Sequence, residues 1–564
     1  MPSNEPAARW KEAAAPAAAS QIDAVALDLP SWFASLLARR GVESTAEAEA
    51  FLRPELDQLH PPAGLENLER AVDRLVAARD GGETVVVVGD YDVDGVTATA
   101  MLLAVFRACG ITTEPVLPHR LRDGYGFQPA HVDRALALGG KLVVTADCGS
   151  RSVETAKDAL ERGLDVIVTD HHLPGEPHDP RVVHVNPLQT EDTYPFPHLS
   201  GAGLAFKLAT ALAERCGRPV PPELLLRVTC LGTIADMVPL RGENRVIARL
   251  GLEALAETRS VGLLALMDVA RVGRPVRAVD VGFRLGPRLN AAGRMDSADA
   301  ALELLMERDP ARAGELAARL DAWNSERRGA ERRVVEEANQ KLEELAGLPP
   351  IITLWSEGWH RGVVGIAAGR IARRYHRPAL LLAVEEGTAT GSGRSIPGVH
   401  LHDFLSAWEE RLERFGGHAQ AIGLTARVED LGDLAGEWER VAAESWDPDL
   451  LVRTYEYDAS LDPAEVNLEL IGQLARLEPF GVGNRDPLLH VGPLSPATPP
   501  RFFGKDHIGL AMRGDDGAGL DLVGWGWRDR AEVFGGRCEA LGHLERDGYT
   551  GRPVLRLVAA RPVE

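Results

Sequence analysis

Between residues 84 and 240 the chain carries four short apolar runs, each stopped by polar residues: "TVVVVGD", "KLVVTADCG", "DVIVTDHH" and "LGTIADMVPL". Short valine-rich runs bounded by turn residues read as strands buried on both faces. The first three are separated by stretches of helical character, "VTATAMLLAVFRACG" and "SRSVETAKDALERG". That alternation is the rhythm of an open parallel sheet with crossover helices, an α/β architecture. The fourth run fits the end of a helix as well as a strand. Such a sheet places its ligand site beyond the carboxyl ends of its strands, and the polarity is concentrated there. Asp90, Asp92 and Asp94 follow the first run, Asp147 the second, and Asp170, His171 and His172 the third, with Asp236 in the fourth as a possible addition.

Each of these residues has an ordinary explanation alone, since a strand-end aspartate commonly caps a helix or shapes a turn. Their convergence from separate segments does not. Two carboxylates about 4 Å apart repel by roughly 4 kcal/mol at an effective dielectric near 20, so the cluster calls for a cation. Carboxylates mixed with imidazole and no thiolate suit Mn²⁺, Mg²⁺ or Zn²⁺. One ion takes about three or four protein ligands, and the surplus points to two ions roughly 3.5 to 4 Å apart sharing a carboxylate. Paired ions of this kind hydrolyse phosphoesters, and their charge makes an acidic crevice compatible with an anionic substrate.

The chain has 564 residues, and at about 100 to 200 residues per domain that means three or four units. Its net charge of −21 excludes non-specific nucleic-acid binding over the whole surface, because such binding neutralises phosphates with Lys and Arg. A polyanion must be held locally, and residues 271–294 set six arginines against one aspartate. The five cysteines, Cys109, Cys148, Cys216, Cys230 and Cys538, contain no CxxC pair, which argues against a disulfide framework or a zinc ribbon. No signal-like leader or apolar run of membrane-spanning length is visible, so a cytoplasmic protein with no membrane association is expected.

Residues 1–40 read as a disordered tail and N-terminal segment, 41–305 as the sheet domain and 306–348 as a long connecting helix whose "SERRGAERR" face is solvated. A second α/β domain follows over 349–447, with strands "IITLW" and "ALLLAV" around the helix "VVGIAAGRIARRYH" and glycines gathered in loops. In "GSGRS", Arg394 then follows a glycine loop whose backbone N–H groups could cradle an anion. From 448 to 564 short alternating strands such as "HIGLAMRG", "LDLVGWGW", "RCEALGHLER" and "PVLRLVAARPV" read as a small all-β barrel, a class that includes the OB fold.

The ordered set of motifs resembles the DHH phosphoesterase superfamily, and within it the RecJ family of single-strand-specific exonucleases. "GDYDVDGVTAT", "TADCGS", "TDHH" and "GTIADMVPL" are similar to the four metal motifs of the superfamily. "GFRLGPRLNAAGRM", "GWHRGVVGIAAGRI", "GSGRSIPGVHLHDFL" and "FGGHAQAIGL" resemble further RecJ motifs, the last two within a DHH-associated domain, and "LEPFGVGNRDP" begins an OB-fold region. The resemblance runs from about residue 40 to the C-terminus. It implies metal ligation by Asp90, Asp92, Asp94, Asp147, His171 and Asp236, with Asp94, His171 and His172 as the catalytic set and His172 beside the scissile phosphate. It also implies nucleic-acid contacts from Arg288, Asn290, Ser392, Arg394, Ser395, Gly417 and His418. His119, Asp123 and Ile422 depart from the family pattern, which bears on strand contacts and leaves the metal chemistry untouched.

The implied activity is Mn²⁺- or Mg²⁺-dependent 5′ to 3′ digestion of single-stranded DNA at two ions, in DNA repair and recombination. The strand would lie in a cleft between the DHH domain and its associated domain, with the barrel extending its path. A single-strand binding protein and a helicase are the further partners implied. A phosphodiesterase or phosphatase of oligonucleotides, cyclic dinucleotides or pyrophosphate would share the metal motifs but would not need the β-rich tail. A non-catalytic replication protein of the same descent would be expected to have lost acids from the set, and here all are present.

Overall fold

The computed structural model describes residues 8–119, 124, 126–295 and 297–563; Asp123 lies outside them. The chain divides into two compact units, one comprising residues 12–321 and 456 onward, the other residues up to 11 and 322–455.

In the first unit, strands β1 (Thr84–Gly89), β2 (Thr112–Val116), β3 (Gly140–Ala146), β4 (Asp165–Thr169) and β5 (Val183–Val185) form one parallel sheet in the order β2-β1-β3-β4-β5. The runs "VVVV" and "LVV" are fully buried, as strands covered on both faces must be. The chain leaves β1 for β2 on one side and returns to β3 on the other, so a switch point lies between β1 and β3. Gly89 is level with Ala146 in the register, and Asp90 and Asp147 therefore emerge side by side. Helix α1 (Val93–Ala108) starts directly after the first acids. Two more helices, α2 (Gly201–Arg215) and α3 (Pro222–Ala235), pack against it. The fourth apolar run is thus the end of a helix, with Asp236 as its C-cap.

The C-terminal region is a closed barrel. Strands Leu489–Pro496, Cys538–Arg546, Pro553–Pro562, Gly519–Gly524 and His507–Gly514 pair in that order, and the last closes on the first. Burial alternates along them, as at Ile508, Leu510 and Met512, which is the period of a strand with one face in a core. Residues 1–40, expected to be a disordered tail and an N-terminal segment, are folded from residue 8 onward, with a strand at Arg9–Glu12 and a helix at Phe33–Ala38; residues 1–7 lie outside the described residues. Phe33, Leu36 and Leu37 share one apolar cluster with Leu489, Leu510 and Leu555 of the barrel. Arg40 fastens the pair, donating to Asn484 Oδ1 and to the carbonyls of Leu36 and Arg485. Arg245, 2% exposed, joins the sheet domain to this assembly by donating to the carbonyls of Phe51, Arg476, Leu477 and Glu478.

The second unit holds a five-stranded sheet in the order Arg414–His418, Ala421–Arg427, Thr388–Arg394, Ala379–Glu385, Ile352–Ser356. Helix Arg361–Tyr375 covers one face and helix Leu431–Ser445 the other. Five of the glycines expected in loops, Gly391, Gly393, Gly416, Gly417 and Gly423, sit instead inside strands. Gly391 faces a backbone so close that a Cβ would lie 2.1 Å from the Leu381 carbonyl oxygen, which is why this central strand can be glycine-rich. The long helix spans Pro310–Glu343. Its charged face is not wholly solvated, because Glu331 is buried between Arg327 and Arg370. Among the described residues, no helix is long and apolar enough to cross a membrane.

Candidate metal centre

Asp92 ends the loop after β1 as the N-cap of α1, its Oδ1 accepting from the Gly95 N–H at 3.1 Å. Asp94 then lies in the first turn, fully buried, with its oxygens turned to the start of α2. Oδ2 accepts from the Gly201 N–H at 2.6 Å and Oδ1 from the Ala202 N–H at 2.9 Å. A helix N-terminus is the natural holder of a carboxylate, and small residues let it come this near. A Cβ on Gly201 would lie 2.5 Å from Asp147, and one on Gly232 of α3 would lie 2.3 Å from Asp94 Oδ1. Asp147 leaves β3 with φ at 65°, an uncommon conformation for a residue with a side chain.

His171 follows β4 and closes the cluster. Its Nε2 stands 3.1 Å from Asp147 Oδ1, 3.6 Å from Asp236 Oδ2 and 3.8 Å from Asp94 Oδ2. The ring hydrogen-bonds the backbone at Leu199, whereas Nε2 and Asp147 Oδ1 are buried and make no hydrogen bond among the described residues. Burial, with the charge of His172, pushes His171 down to about 4. It is therefore a neutral imidazole with a lone pair aimed at carboxylates, the form in which histidine binds metal. Burial first and neighbouring aspartates second push Asp94 up to about 7, Asp236 up to about 9, and Asp147 well above the carboxylate range. Crowded buried acids around a bare imidazole nitrogen fit divalent cations, whose charge would relieve both effects. Three overlapping groups meet ligand spacing: Asp90, Asp92 and Asp147; Asp94, His171 and Asp236; and Asp147, His171 and His172.

His172 has a different environment. Its Nδ1 lies 2.7 Å from Asp170 Oδ1 and its side chain is 41% exposed. Burial lowers its affinity for a proton, but the Asp170 hydrogen bond and the surrounding carboxylates outweigh that and raise it to about 9. Asp170, in turn fixed by the Ser150 N–H at 2.8 Å, is a positioning residue that a search for metal ligands passes over. Its signal is its place in "TDHH" directly before the two histidines. The amides of Gly201 and Ala202 were not legible, since backbone donors leave no side-chain signature.

The residues expected to grip nucleic acid fall in two places. Asn290 belongs to the metal end, its Oδ1 accepting from the Val93 N–H at the start of α1. Arg288, two residues earlier, is held by Asp321 at 2.8 Å and by the Arg284 carbonyl. The others lie in the second unit. The sheet register aligns Arg394, Ala421 and His418 in one row, and Gly417 precedes His418 in its strand. Ser392 shares a sheet face with Arg394, and both approach Gly365 of helix Arg361–Tyr375. Ser395 Oγ donates to the Val399 carbonyl. The expected glycine cradle before Arg394 is absent, because Gly391–Arg394 is a central strand laddered on both sides. The side chains, not the backbone amides, are what this segment offers a ligand. Ile422 is buried in the core of this unit.

Three family models match the chain: the DHH family, N-terminal domain, over residues 84–233; the DHHA1 domain over 348–444; and the RecJ OB domain over 457–560. The single-stranded-DNA-specific exonuclease RecJ of Bacillus subtilis (strain 168) is 36% identical over 534 residues, covering 93% of this chain and 67% of that one. RecJ of Thermus thermophilus in complex with Mn²⁺ superposes with a TM-score of 0.82 at 30% identity, over 99% of this chain and 80% of that one. Its complex with Mg²⁺ gives 0.77 at 29% identity, over 99% and 79%.

Proposed function

The chain belongs to the RecJ exonuclease family and is an exodeoxyribonuclease, and from that premise we propose that it hydrolyses single-stranded DNA from the 5′ end at two Mn²⁺ or Mg²⁺ ions. The observation that carries the two-ion reading is Asp147, whose Oδ1 is 3.1 Å from His171 Nε2 and which also belongs to the group with Asp90 and Asp92. One ion would be held by Asp94, His171 and Asp236, the other by Asp90 and Asp92, with Asp147 shared. When bound, the ions would supply Lewis-acid neutralisation of the phosphate and acidification of water.

The chain's own residues do the rest. The α2 amides fix Asp94, and the Leu199 backbone fixes the tautomer of His171. Asp170 keeps His172 oriented and favours its protonated form, so that its imidazolium can hydrogen-bond a phosphate oxygen and give up a proton as the leaving oxygen develops charge. Arg394 and His418, aligned in one row, are proposed to hold phosphates of the strand with Ser392, Ser395 and Gly417, and Asn290 to contact the nucleotide nearest the metals. Arg288, engaged by Asp321, would serve only by exchanging that carboxylate for a phosphate. The barrel extends contact with longer strands. Repair and recombination are the setting proposed, with single-stranded DNA as the partner and a single-strand binding protein and a helicase as associates.

The test is digestion of single strands labelled at either end, in Mn²⁺ and in Mg²⁺, beside a duplex control. Release of label from the 5′ end first, on single strands only, is the expected result. Preferential hydrolysis of pyrophosphate or a cyclic dinucleotide would refute it.

A further inference from the structure

The metal centre uses none of the cysteines. Cys109, Cys148, Cys230 and Cys538 are buried and Cys216 is partly exposed; Cys109 and Cys216 are the C-caps of α1 and α2. These two helices start together, where the amides of Gly201 and Ala202 hold Asp94, and they pack side by side with 16 and 15 residues. Parallel helices of nearly equal length that share a beginning also share an end. There Cys109 and Cys216 cap adjoining helix ends, near enough for Cys216 to act on the Cys109 thiol. Arg218, just past Cys216, donates to the carbonyl of Ala108, just before Cys109. Arg79, whose Nε holds Asp80, points Nη1 at Cys216 Sγ at 3.2 Å.

We propose that Cys109 and Cys216 are an oxidative modification site, closing a reversible disulfide when a peroxide reaches Cys216. The two residues differ in the way such a reaction needs. Cys216 is partly exposed, so a peroxide can reach it, and its sulfur lies 3.2 Å from the Arg79 guanidinium; Cys109 is 4% exposed. Burial and the adjoining Cys216 push the Cys109 thiol up to about 12, so it keeps its proton until it acts. The Cys216 thiolate attacks a peroxide oxygen, the O–O bond breaks, and a sulfenic acid forms while the departing oxygen takes a proton to become water or an alcohol. The Cys109 sulfur then attacks the Cys216 sulfur, the S–S bond forms, and the hydroxyl leaves with the Cys109 proton as water. Two thiols lose two electrons and the peroxide gains them. The groups of three or more metal-ligating side chains among the described residues all lie in the acidic crevice, so the thiol pair is not part of a larger metal site.

The experiment treats the full-length protein with hydrogen peroxide, measures intact mass, and then blocks remaining thiols for non-reducing peptide maps. The expected product is about 2 Da lighter, the two thiol hydrogens, with the peptides of Cys109 and Cys216 joined, an unfolding midpoint above that of the reduced protein, and full reversal by dithiothreitol. Cys216→Ser and, independently, Cys109→Ser are expected to remove the link while keeping the reduced protein's midpoint and its digestion of single strands. Mass gains of about 16 or 32 Da without a joined peptide would overturn the proposal. So would a link to Cys148, Cys230 or Cys538, a link between two chains, or a 2 Da loss that persists in Cys216→Ser.

Discussion

Gly232→Ala tests whether the fit of α3 against Asp94 sets the metal centre. In an ordinary helix interior this substitution is favourable by about 0.8 to 1 kcal/mol, because alanine loses less backbone freedom. At residue 232 the added methyl would sit 2.3 Å from Asp94 Oδ1, 2.6 Å from Thr97 Oγ1 and 2.7 Å from Ala202 Cβ. Non-bonded atoms settle near 3.5 Å, so the carboxylate must retreat by about 1 Å. Asp94 has little freedom to do so, as both its oxygens are held by the Gly201 and Ala202 amides. Breaking one hydrogen bond to a charged acceptor costs about 1.5 to 3 kcal/mol. Set against the propensity gain, the metal-free variant should be about 1 to 2 kcal/mol less stable, an unfolding midpoint about 2 °C or more lower. A ligand displaced by about 1 Å should lower turnover by about 10²-fold and raise the Mn²⁺ concentration needed for half-maximal digestion. Thermal unfolding in chelator and Mn²⁺ titrations of single-strand digestion measure the two effects. A variant more stable than wild type with an unchanged Mn²⁺ requirement would show that α3 yields at no cost, and the argument from close packing would fail.

Asp236→Ala should lose nearly all turnover while single-strand binding survives; retaining more than about a tenth of the rate at saturating Mn²⁺ would count against Asp236 as a ligand, since losing a metal-activated nucleophile costs several kcal/mol. In metal-free protein Asp94 and Asp236 are raised to about 7 and about 9, so between about pH 4 and 9 the folded state binds more protons than the unfolded state and stability falls as pH rises. The unfolding midpoint in chelator should therefore drop across this window and saturating Mn²⁺ should flatten the drop, with parallel curves as the contrary outcome. Arg394→Ala should weaken single-strand binding by about 1.5 to 3 kcal/mol and cut the salt slope by about 0.7, leaving Mn²⁺ content unchanged; unaltered affinity would remove Arg394 from the strand contacts. Trp525, 56% exposed on the barrel beside Phe503 and His507, is a better probe of the barrel than deletion, which would open the core shared with Phe33 and Leu36. Trp525→Ala should lower affinity for long strands by about 1 to 3 kcal/mol if a base stacks there, measured against a short strand as control.

The parts of the fold that a reader of the sequence could find are those whose signal is local. Buried parallel strands announce themselves as valine runs, the barrel as alternation, and the metal acids as polar residues at strand ends. What escaped depends on partners distant in the chain. Nothing in "SWFASLLARR" says that Phe33 and Leu37 are buried with Leu489 and Leu555, because those partners lie at the far end of the chain. Glycine misled in the other direction: "GSGR" has the composition of a turn, yet Gly391 lies in a central strand because only a hydrogen fits beside the Leu381 carbonyl. Arg288 stands out by its charge and its motif, and no local feature reveals that Asp321 holds it.

At the metal centre the same division separates ligands from their supports. Every proposed ligand carries a side chain that chemistry picks out, whereas the groups that aim them are backbone amides and missing methyls. Asp94 is steered by two N–H groups of α2 and cleared by Gly232, and the corresponding sequence is only "SGAG" and "LGTIAD". These small-residue stretches are what let α1, α2 and α3 approach until their ends share one carboxylate. Burial at that junction raises the acids and lowers His171 together. A larger residue at either glycine would move the ligands apart and at the same time admit water, weakening the desolvation that makes the bare site so receptive to a divalent ion. Packing and affinity for the metal are therefore one property here, and substitutions at these glycines should change both together.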